Sequence, residues 1–545
     1  MIRPTFLGFE VAKKGFTVSQ KGLDITGQNL VNWDSEGYTR QRIEQVALSQ
    51  DAYRSRTSNN RLGVAGQGVD IAGISQQRDA FLDKRYREQY GEQGYYDKAN
   101  DILKDIQDSL DMLDAEGDSG LRGRLMALRD SLDTLAGSPD SPTHANIVAT
   151  NVKSFARTLQ ALDQKLNKIQ EQHTYDLSVE VDSYNDMITR VAEINRAIQE
   201  DAGVIGDDAR YKPNELFDER NVLIDKLSYM TDLEVTNNID GTVTLKVPGK
   251  EAGSDPDIVL VDGAKHDMLD MDVDDDTGVV SLRWLSTAKP AHLSVGTIKA
   301  SYDVLNGRGE GEDNNIINAG ETPVRGVPYY KDKLNEIAEH FADVMNTTIP
   351  TAYNVNPATG KQDPAFGIDQ NPKDENGNAL PVYRKLVGTV YDDAPGQDNK
   401  VTAANISISY EWGKDSNYIM TMQGDLDTTH ILNLKDRLNS EKTFQGSGSA
   451  SALGLDEGST FLEYFKSLGT TLGTDINFNE GRYEATKSLA DSLNDRRDAV
   501  AGVNVDEETA NMMLYNKSLQ AASRLMTTLD DALDVLINRT GRVGL

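Results

Sequence analysis

The sequence predicts an α+β multidomain fold, helical toward both ends and β-rich in its middle. Its 545 residues are too many for one hydrophobic core, so several domains are expected. Every proline except Pro4 lies between Pro139 and Pro395, which leaves both ends free to form long helices. Apolar residues follow a helical period before residue 231, whereas an alternating pattern begins there.

The first helix is predicted over about residues 1–30. Its apolar and small residues repeat at spacings of three and four, as in a coiled coil: Phe9, Ala12, Phe16, Ser19, Leu23, Thr26 and Leu30. A second line at spacings of seven consists of Val11, Val18 and Ile25. Two apolar faces on one helix indicate more than one partner helix.

A matching helix is predicted at the C-terminal end. The same spacing recurs in Leu514, Ser518, Ala521, Leu525, Thr528, Ala532 and Val535. The face is widened by Leu529, Leu533 and Leu536. On this pattern alone, two unrelated helices in separate cores remain an alternative to a single packed pair.

Further helices are predicted between the two ends. Apolar repeats run over 102–113, 121–135 and 152–191, and a shorter helix, NELFDERNVLIDKLSYM, ends at Met230. His173 falls on the apolar face of the longest repeat, where a hydrogen-bonded core histidine is favoured over a metal ligand. The spacing slips around His173, which is typical of a local change in supercoiling.

A β-rich region is predicted from about residue 231. Alternating apolar residues flank Asp240-Gly241, which indicates a hairpin, and DIVLVDG and GVVSLRW are further strands. The segment YYKDKLNEIAEHFADVMN is helical in pattern. A strand is expected in ANISISYEW, and helices resume after about Ile431.

Composition excludes several functional classes. A net charge of −31 argues against nucleic-acid binding, because a phosphate backbone would be repelled. No apolar run reaches the about 18 residues of a membrane helix. There is no secretory signal pattern, so a cytosolic location is the simplest expectation. The absence of cysteine excludes disulfides and thiolate chemistry, and it suits export without disulfide machinery.

No catalytic or metal-binding motif is present, so the sequence predicts neither an enzyme nor a bound cofactor or metal. The six histidines form no His-Glu-x-x-His pair, and neither a phosphate loop nor a Gly-x-Ser-x-Gly segment occurs. Asp272, Asp274 and Asp276 invite a calcium interpretation, but Thr277 and Arg283 occupy the positions of the required glycine and glutamate. An acidic turn between strands is favoured. A hydrolase using two of the 87 acidic residues is left open.

The segment NLVNWDSEGYTRQR is the most specific part of the chain. Its Asn29, Asn32, Gly37 and Tyr38 match a pattern Asn-x-x-Asn-x-x-Thr-Pro-Gly-Tyr, and the chain thereby resembles the flagellar rod, hook and hook-associated protein family. Ser35-Glu36 replaces the usual Thr-Pro. The resemblance extends to GQGVDIAGISQQRDAFLDKRYR, NELFDERNVLIDKLS and the C-terminal segment from Ala501. The trailing TRQR favours the hook-associated members over hook and rod proteins.

The resemblance implies a set of nested domains. The terminal helical domain would comprise 1–50 with 501–545, in which the helices of both termini pack together. A mainly helical second domain would comprise 51–230 with 325–500, and a β-rich outer domain, 231–324, would be inserted into it. Asn29 and Asn32 would cap or bridge the backbone of the extended arm that leaves the first helix. Terminal helices that order only against neighbouring copies are a further hypothesis.

The implied function is structural, through helical self-assembly where hook and filament join. The expected partners are other copies of the chain, the hook protein, a second junction protein, the flagellar type III export apparatus and a cytoplasmic export chaperone. An extracellular location without a cleaved signal follows. Alternatives are a sibling hook or distal-rod protein, a secreted wall hydrolase and a coiled-coil adhesin. The predicted assembly residues are Phe9, Phe16, Leu23, Leu30, Asn29, Asn32, Gly37, Tyr38, Leu514, Ala521, Leu525, Leu529, Ala532 and Leu536.

Overall fold

A computed structural model describes residues 7–47, 68–111, 113, 120–205, 213–249, 257–274, 277–309, 322–349, 383–392, 399–420, 422–423, 425–426, 428–440 and 459–539. The helices described are α1 (Leu7–Val31), α2 (Ala80–Leu110), α3 (Leu121–Gly137), α4 (Pro142–Ile205), α5 (Asn214–Met230), α6 (Thr297–Leu305), α7 (Val327–Asn346), α8 (Tyr410–Lys414), α9 (Thr429–Leu438), α10 (Phe461–Ala501) and α11 (Val505–Asp534). A 3₁₀ turn spans Ser416–Ile419, and a π-helical turn, Val535–Arg539, follows α11.

The strands are short and antiparallel. They are β1 (Gln41–Ala47), β2 (Val69–Gln76), β3 (Glu234–Asn237), β4 (Val243–Val247), β5 (Ile258–Asp262), β6 (Lys265–His266), β7 (Leu269–Val273), β8 (Val280–Trp284), β9 (Val387–Thr389), β10 (Ile406–Ile408), β11 (Met422–Gln423) and β12 (Asp425–Leu426). The order β3-β4-β5-β6 forms a four-stranded sheet, and the remaining strands pair two by two. The predicted combination of long helices with small sheets is therefore observed.

Side-chain caps fix where several helices begin. The Asp79 carboxylate accepts the amide of Phe81 at 2.9 Å and so starts α2. At α10 a capping box forms, because Thr460 accepts the Glu463 amide while Glu463 accepts the Thr460 amide. The Asn504 side chain caps α11 by accepting the amides of Asp506 and Glu507. These caps satisfy amide groups that have no partner within a helix.

The larger hydrophobic core is built by helices. The end of α2, α3, the first half of α4, α7, α9 and the first half of α10 contribute fully buried side chains. Phe155 and Phe341 stack with ring centroids 4.3 Å apart, and Phe341 meets Phe461 edge-on at 6.3 Å. Segments on both sides of the β-rich region thus share one core, as a domain with an insertion requires.

A second core joins the β strands to helices. The second half of α4, together with α5 and α6, packs on strands β4, β5, β7 and β8 around Trp284 and Tyr184. Helix α4 therefore enters both cores. The second half of α4 and helix α5, which the sequence analysis placed in the helical second domain, share this core with the β-rich region. The domain boundaries themselves stay a prediction. Helix α6 was not predicted.

Two local predictions in this region are confirmed. The hairpin at Asp240-Gly241 joins β3 to β4, and Gly241 adopts the positive φ of 85° that such a turn favours. The acidic tract forms a turn between β7 and β8, and Arg283 lies 3.5 Å from Asp270 and 3.3 Å from Asp272. Asp276 lies outside the described residues.

His173 is a hydrogen-bonded core histidine, as predicted. It is 6% exposed, and its Nε2 lies 2.8 Å from a carboxylate oxygen of Asp105. The strand predicted in ANISISYEW is only partly right, since β10 ends at Ile408. Ser409 then accepts the Trp412 amide at 3.2 Å and caps the short helix α8. A serine cap outweighed the strand propensity of the following aromatic residues.

Candidate assembly interface

Helices α1 and α11 lie against each other in opposite directions. Gly8, Gly15 and Gly22, spaced by seven, face residues of α11 that are also spaced by seven, in reverse order: Leu529, Ala522 and Tyr515. A Cβ on Gly22 would lie 2.6 Å from the Tyr515 ring, so the glycine is needed for this close approach. Sequence reasoning overlooked this glycine line, although its spacing of seven is visible in the sequence.

The predicted residues of α1 occupy the sides of this contact. Phe9, Phe16, Leu23 and Leu30 are half-buried. The small residues of the same line are buried, with Ala12 and Thr26 each 2% exposed, and Val18 of the second line is 5% exposed. Side chains that are half-buried within one chain retain apolar area for a neighbouring molecule.

The line predicted on α11 does not pack against α1. Leu514 is 60% exposed and Leu525 46% exposed, and Ala521 and Ala532 are exposed as well. The packed line, Tyr515–Ala522–Leu529, lies one position further along the chain because the α1 glycines admit those side chains. Among the predicted residues of α11, Leu529 is the one that approaches the α1 glycines. The Leu536 side chain lies outside the described part.

The segment after α1 forms a tight turn. The Asn32 amide and its side-chain Nδ2 both donate to the Gln28 carbonyl at 3.1 Å and end the helix. Gly37 has a φ of 75°, and a Cβ there would lie 2.1 Å from Cγ2 of Val222 in α5. Glycine is therefore required at this position. Trp33 stands at the surface of the turn, 58% exposed.

Asn29 fastens this segment to α1. Its Oδ1 accepts the Gln41 amide at 3.0 Å, and its Nδ2 donates to the Gln41 carbonyl at 2.9 Å, so the side chain pairs with the backbone as a strand would. The Tyr38 hydroxyl donates to the same Oδ1 at 2.8 Å. The structure thus brings two predicted residues together, and Asn29 performs the bridging role expected of it. Burial, then the charges of nearby carboxylates, raises the pKa of Tyr38.

The N-terminal and C-terminal parts of the chain meet at Glu508, which sequence reasoning missed. This carboxylate is 3% exposed and accepts a hydrogen bond from Asn29 Nδ2 at 3.2 Å. Arg40 donates to Glu508 through Nε at 2.8 Å and to Glu507 through a terminal nitrogen at 2.9 Å. The hydrogen bond from Arg40 lowers the pKa of Glu507. The acidic residues Asp506, Glu507 and Glu508, which precede the C-terminal repeat, were the sequence feature that could have indicated this contact.

The strands β1 and β2 form an arm beside the helix pair. They pair antiparallel, with a register shift between Glu44 and Gln45. A groove of about 720 Å³ lies between this arm, α1 and α11, and Leu514 contributes to its wall. The groove carries both apolar and polar groups, so it is a surface suited to another protein segment.

A network of ion pairs ties the base of the arm to three helices. Asp225 of α5 lies 2.6 Å from Arg87 of α2 and 2.7 Å from Arg497 of α10. Arg497 also reaches Asp83 at 3.0 Å, and Arg78 reaches Asp83 at 3.1 Å. Burial raises the pKa of Asp225, but the two guanidinium groups outweigh it and lower that pKa overall.

Neither a metal cluster nor a helix able to span a membrane is found among the residues that the structure describes. Among those residues, no three His, Asp or Glu side chains are grouped closely enough to hold a metal ion. None of the helices described combines the length and apolar character needed to cross a membrane. What the arrangement can do is hold the two ends of the chain together and present apolar faces.

Two family models match the chain. The model for "Flagellar hook-associated protein FlgK helical domain" matches residues 107–362. The model for "Flagellar basal body rod FlgEFG protein C-terminal" matches residues 499–539, which include α11. The first match spans α3 to α7 together with the β-rich region between them, and the second includes the C-terminal helix of the pair.

Curated relatives match over nearly their whole length. The chain is 24% identical to flagellar hook-associated protein 1 of Bacillus subtilis (strain 168), covering 98% of this chain and 99% of the relative. It is 21% identical to flagellar hook-associated protein 1 of Escherichia coli (strain K12), covering 97% and 98%. Among solved structures, the flagellar hook junction protein FlgK from Burkholderia pseudomallei aligns with a TM-score of 0.48 and 12% identity, covering 77% of this chain and all of that one.

Proposed function

The chain belongs to the flagellar hook-associated protein family, and on that premise we propose that it is a structural protein of the bacterial flagellum at the junction between hook and filament. Its relatives match end to end and share this name. They are flagellar structural proteins, which fits a chain without a catalytic motif. The function is therefore assembly rather than chemistry.

The exposed apolar face of α11 and of the π-helical turn that follows it is the observation on which the mechanism rests. Leu514, Leu525 and Val535 are 60%, 46% and 45% exposed, although each belongs to an apolar repeat typical of a packed helix. We propose that neighbouring copies cover this face. Contacts between unlike surfaces of identical subunits generate an open helical array when the rotation between copies does not close into a ring.

The nested organisation gives each part of the chain a place in that array. We propose that α1, α11 and the β1–β2 arm form the axial domain, that the larger helical core surrounds it, and that the β-rich region faces outward. The predicted residues Phe9, Phe16, Leu23 and Leu30 would contact neighbouring copies through the parts of their side chains that α11 leaves uncovered.

The proposed partners follow from the same role. At one end of its zone the chain would contact the hook protein, and at the other a second junction protein. It would leave the cytoplasm through the flagellar type III export apparatus, accompanied by a cytoplasmic chaperone, and reside outside the cell without losing a signal peptide.

Deletion and localisation test the proposal. Cells lacking the chain are expected to carry hooks without filaments, and immunogold labelling of complemented cells is expected to mark the distal hook end. Cells that lack hooks altogether would instead favour a sibling hook or distal-rod protein. Intact filaments together with cell-wall hydrolysis by the purified chain would favour the hydrolase alternative.

A further inference from the structure

A cationic pocket lies beneath the arm, on a chain that is otherwise strongly acidic. Its volume is about 600 Å³, and it lies between the start of α2, helix α5 and the β3–β4 hairpin. The charged side chains that line it are Arg78, Asp83, Lys84, Arg87 and Arg220. Its wall carries four cations and one carboxylate, although Lys84 also lies 3.9 Å from Glu88 of the same helix, and the whole chain carries −31.

The neighbouring carboxylates are already engaged. Asp83 lies between Arg78 and Arg497, and Asp225 lies between Arg87 and Arg497. Two carboxylates thus serve three guanidinium groups. No charge of theirs is left over for a further arginine.

Arg220 is that further arginine, and within the described residues it forms no ion pair. It is only 5% exposed, and one terminal nitrogen donates to the Asn195 side chain at 3.1 Å and to the Gly241 carbonyl at 2.8 Å. Its buried Nε donates to no described residue. Burial, followed by the charges of Arg87 and Arg78, lowers the pKa of Arg220 to about 10, and the opposite charge of Asp240 offsets only part of this effect. The guanidinium also lies over the Phe217 ring, with its central carbon 5.1 Å from the ring centroid. Such a contact compensates burial only in part, so a buried guanidinium beside like charges stays costly unless an anion approaches it.

We propose that this pocket binds an oxyanion of the carboxylate class, lodged between Arg220, Arg87 and Lys84. Guanidinium groups match the geometry of such a group and bind it through paired hydrogen bonds. The favoured source is an Asp or Glu side chain of a neighbouring copy, an inference that rests on the proposed assembly. Copies that each carry −31 repel one another, and a carboxylate placed in a cationic pocket offsets part of that repulsion. A free anion from solution is the other source.

The first test uses the monomer and inorganic sulfate, and it does not depend on assembly. The thermal midpoint of the full chain is measured with increasing sulfate against sodium chloride at equal ionic strength. The wild type is expected to show a saturable rise of about 2 °C, because an anion that binds the folded state stabilises it. Lys84→Glu should weaken the apparent sulfate affinity about tenfold through the two-unit loss of positive charge. Lys153→Glu, at an exposed lysine of α4 outside the pocket, makes the same charge change and should respond as the wild type does.

The second test identifies the source in the assembled state. Phe81 lines the pocket and is 65% exposed, so p-benzoylphenylalanine placed there samples whatever enters. Irradiation of assembled flagella is expected to cross-link it to an acidic segment of a second copy, identified by mass spectrometry. A saturable sulfate response without an intermolecular cross-link assigns the pocket to a free anion. If the wild type shows no sulfate response and the assembled flagella show no intermolecular cross-link, the proposal is overturned. Immunogold labelling of the Phe81 variant separates that result from a failure to assemble.

Discussion

Asn29 and Glu508 are separated by 479 positions in sequence, yet their side chains share a 3.2 Å hydrogen bond in the interior of the protein. Both are almost fully buried, at 1% and 3% exposure. Asn29 also holds the backbone of Gln41, and Glu508 holds Arg40. One cluster of polar groups therefore joins α1, the arm and α11, and each of the three depends on the other two.

Substitution of Asn29 by Asp should loosen all three elements together. The variant keeps the shape but loses the Nδ2 donor and places a second carboxylate against Glu508. The expected loss of unfolding free energy is about 3 kcal/mol, because the buried Gln41 carbonyl and the buried Glu508 carboxylate both lose the Nδ2 donor. Hydrogen exchange of the β1 and α11 amides measures the effect. Asn32→Asp is the control, because Asn32 binds only a carbonyl of its own helix, and it should cost under about 1 kcal/mol. Equal losses in the two variants would contradict the role assigned to Asn29.

The glycines of α1 should respond to alanine according to their distance from α11. Gly22→Ala places a Cβ 2.6 Å from the Tyr515 ring and should cost about 2 kcal/mol through overpacking. Gly27 has nothing within 4 Å, so Gly27→Ala should stabilise α1 by up to about 1 kcal/mol through helix propensity. Denaturant unfolding of both variants measures the difference. Combining Gly22→Ala with Tyr515→Ala should recover part of the loss, and a purely additive double variant would count against this contact.

Asp225 should make the ion-pair network dependent on pH. Asp225→Asn removes the carboxylate shared by Arg87 and Arg497 and should cost about 3–5 kcal/mol at pH 7. Because the folded-state pKa of Asp225 is lowered, its contribution is present above its unfolded pKa and is lost as the pH falls through the folded value.

The difference in unfolding free energy between the wild type and Asp225→Asn should therefore be smaller at about pH 3 than at pH 7. Asp108→Asn, at an exposed aspartate of the same helix as Arg87, serves as the control and should change stability by less than about 0.5 kcal/mol at either pH. If the free-energy difference between the wild type and Asp225→Asn is the same at both pH values, the ionised Asp225 is not its cause.

Leu525→Asp should separate assembly from folding. The side chain is 46% exposed in the single chain, so the monomer should lose no more than about 0.5 kcal/mol. A carboxylate buried between copies would cost several kcal/mol unless paired, so incorporation into flagella should fail. Leu529→Asp should instead weaken the monomer, because Leu529 packs at Gly8. Electron microscopy and monomer unfolding measure the two effects, and normal incorporation of Leu525→Asp would remove this face from the interface.

Much of the fold could be predicted because it depends on patterns within short segments of the sequence. The helical repeats, the Asp240-Gly241 turn and the core histidine depend on spacing, turn chemistry and burial within short segments. The face of α11 that contacts α1 could not be found this way. Leu514 and Leu525 are larger than Ala522, and a hydrophobic pattern ranks them first. Glycines on the partner helix, not the pattern on α11, decide which side chains fit.

The site was predicted in the same uneven way. Asn29 and Tyr38 were recognised from the arm sequence, but Glu508 was not. The sequence does not distinguish a buried glutamate from the exposed ones in a chain with 87 acidic residues. Arg40, 468 positions away, is what makes its burial tolerable. Long-range pairing of this kind has no signature in one sequence.

Helix α4 has a mechanical consequence. Its 64 residues extend for about 95 Å without a break, and its two halves are anchored in different cores. A twist applied to one end would be transmitted along a continuous ladder of backbone hydrogen bonds rather than absorbed by a hinge. Torsional stiffness of this kind would keep the two cores in a fixed relative orientation under load.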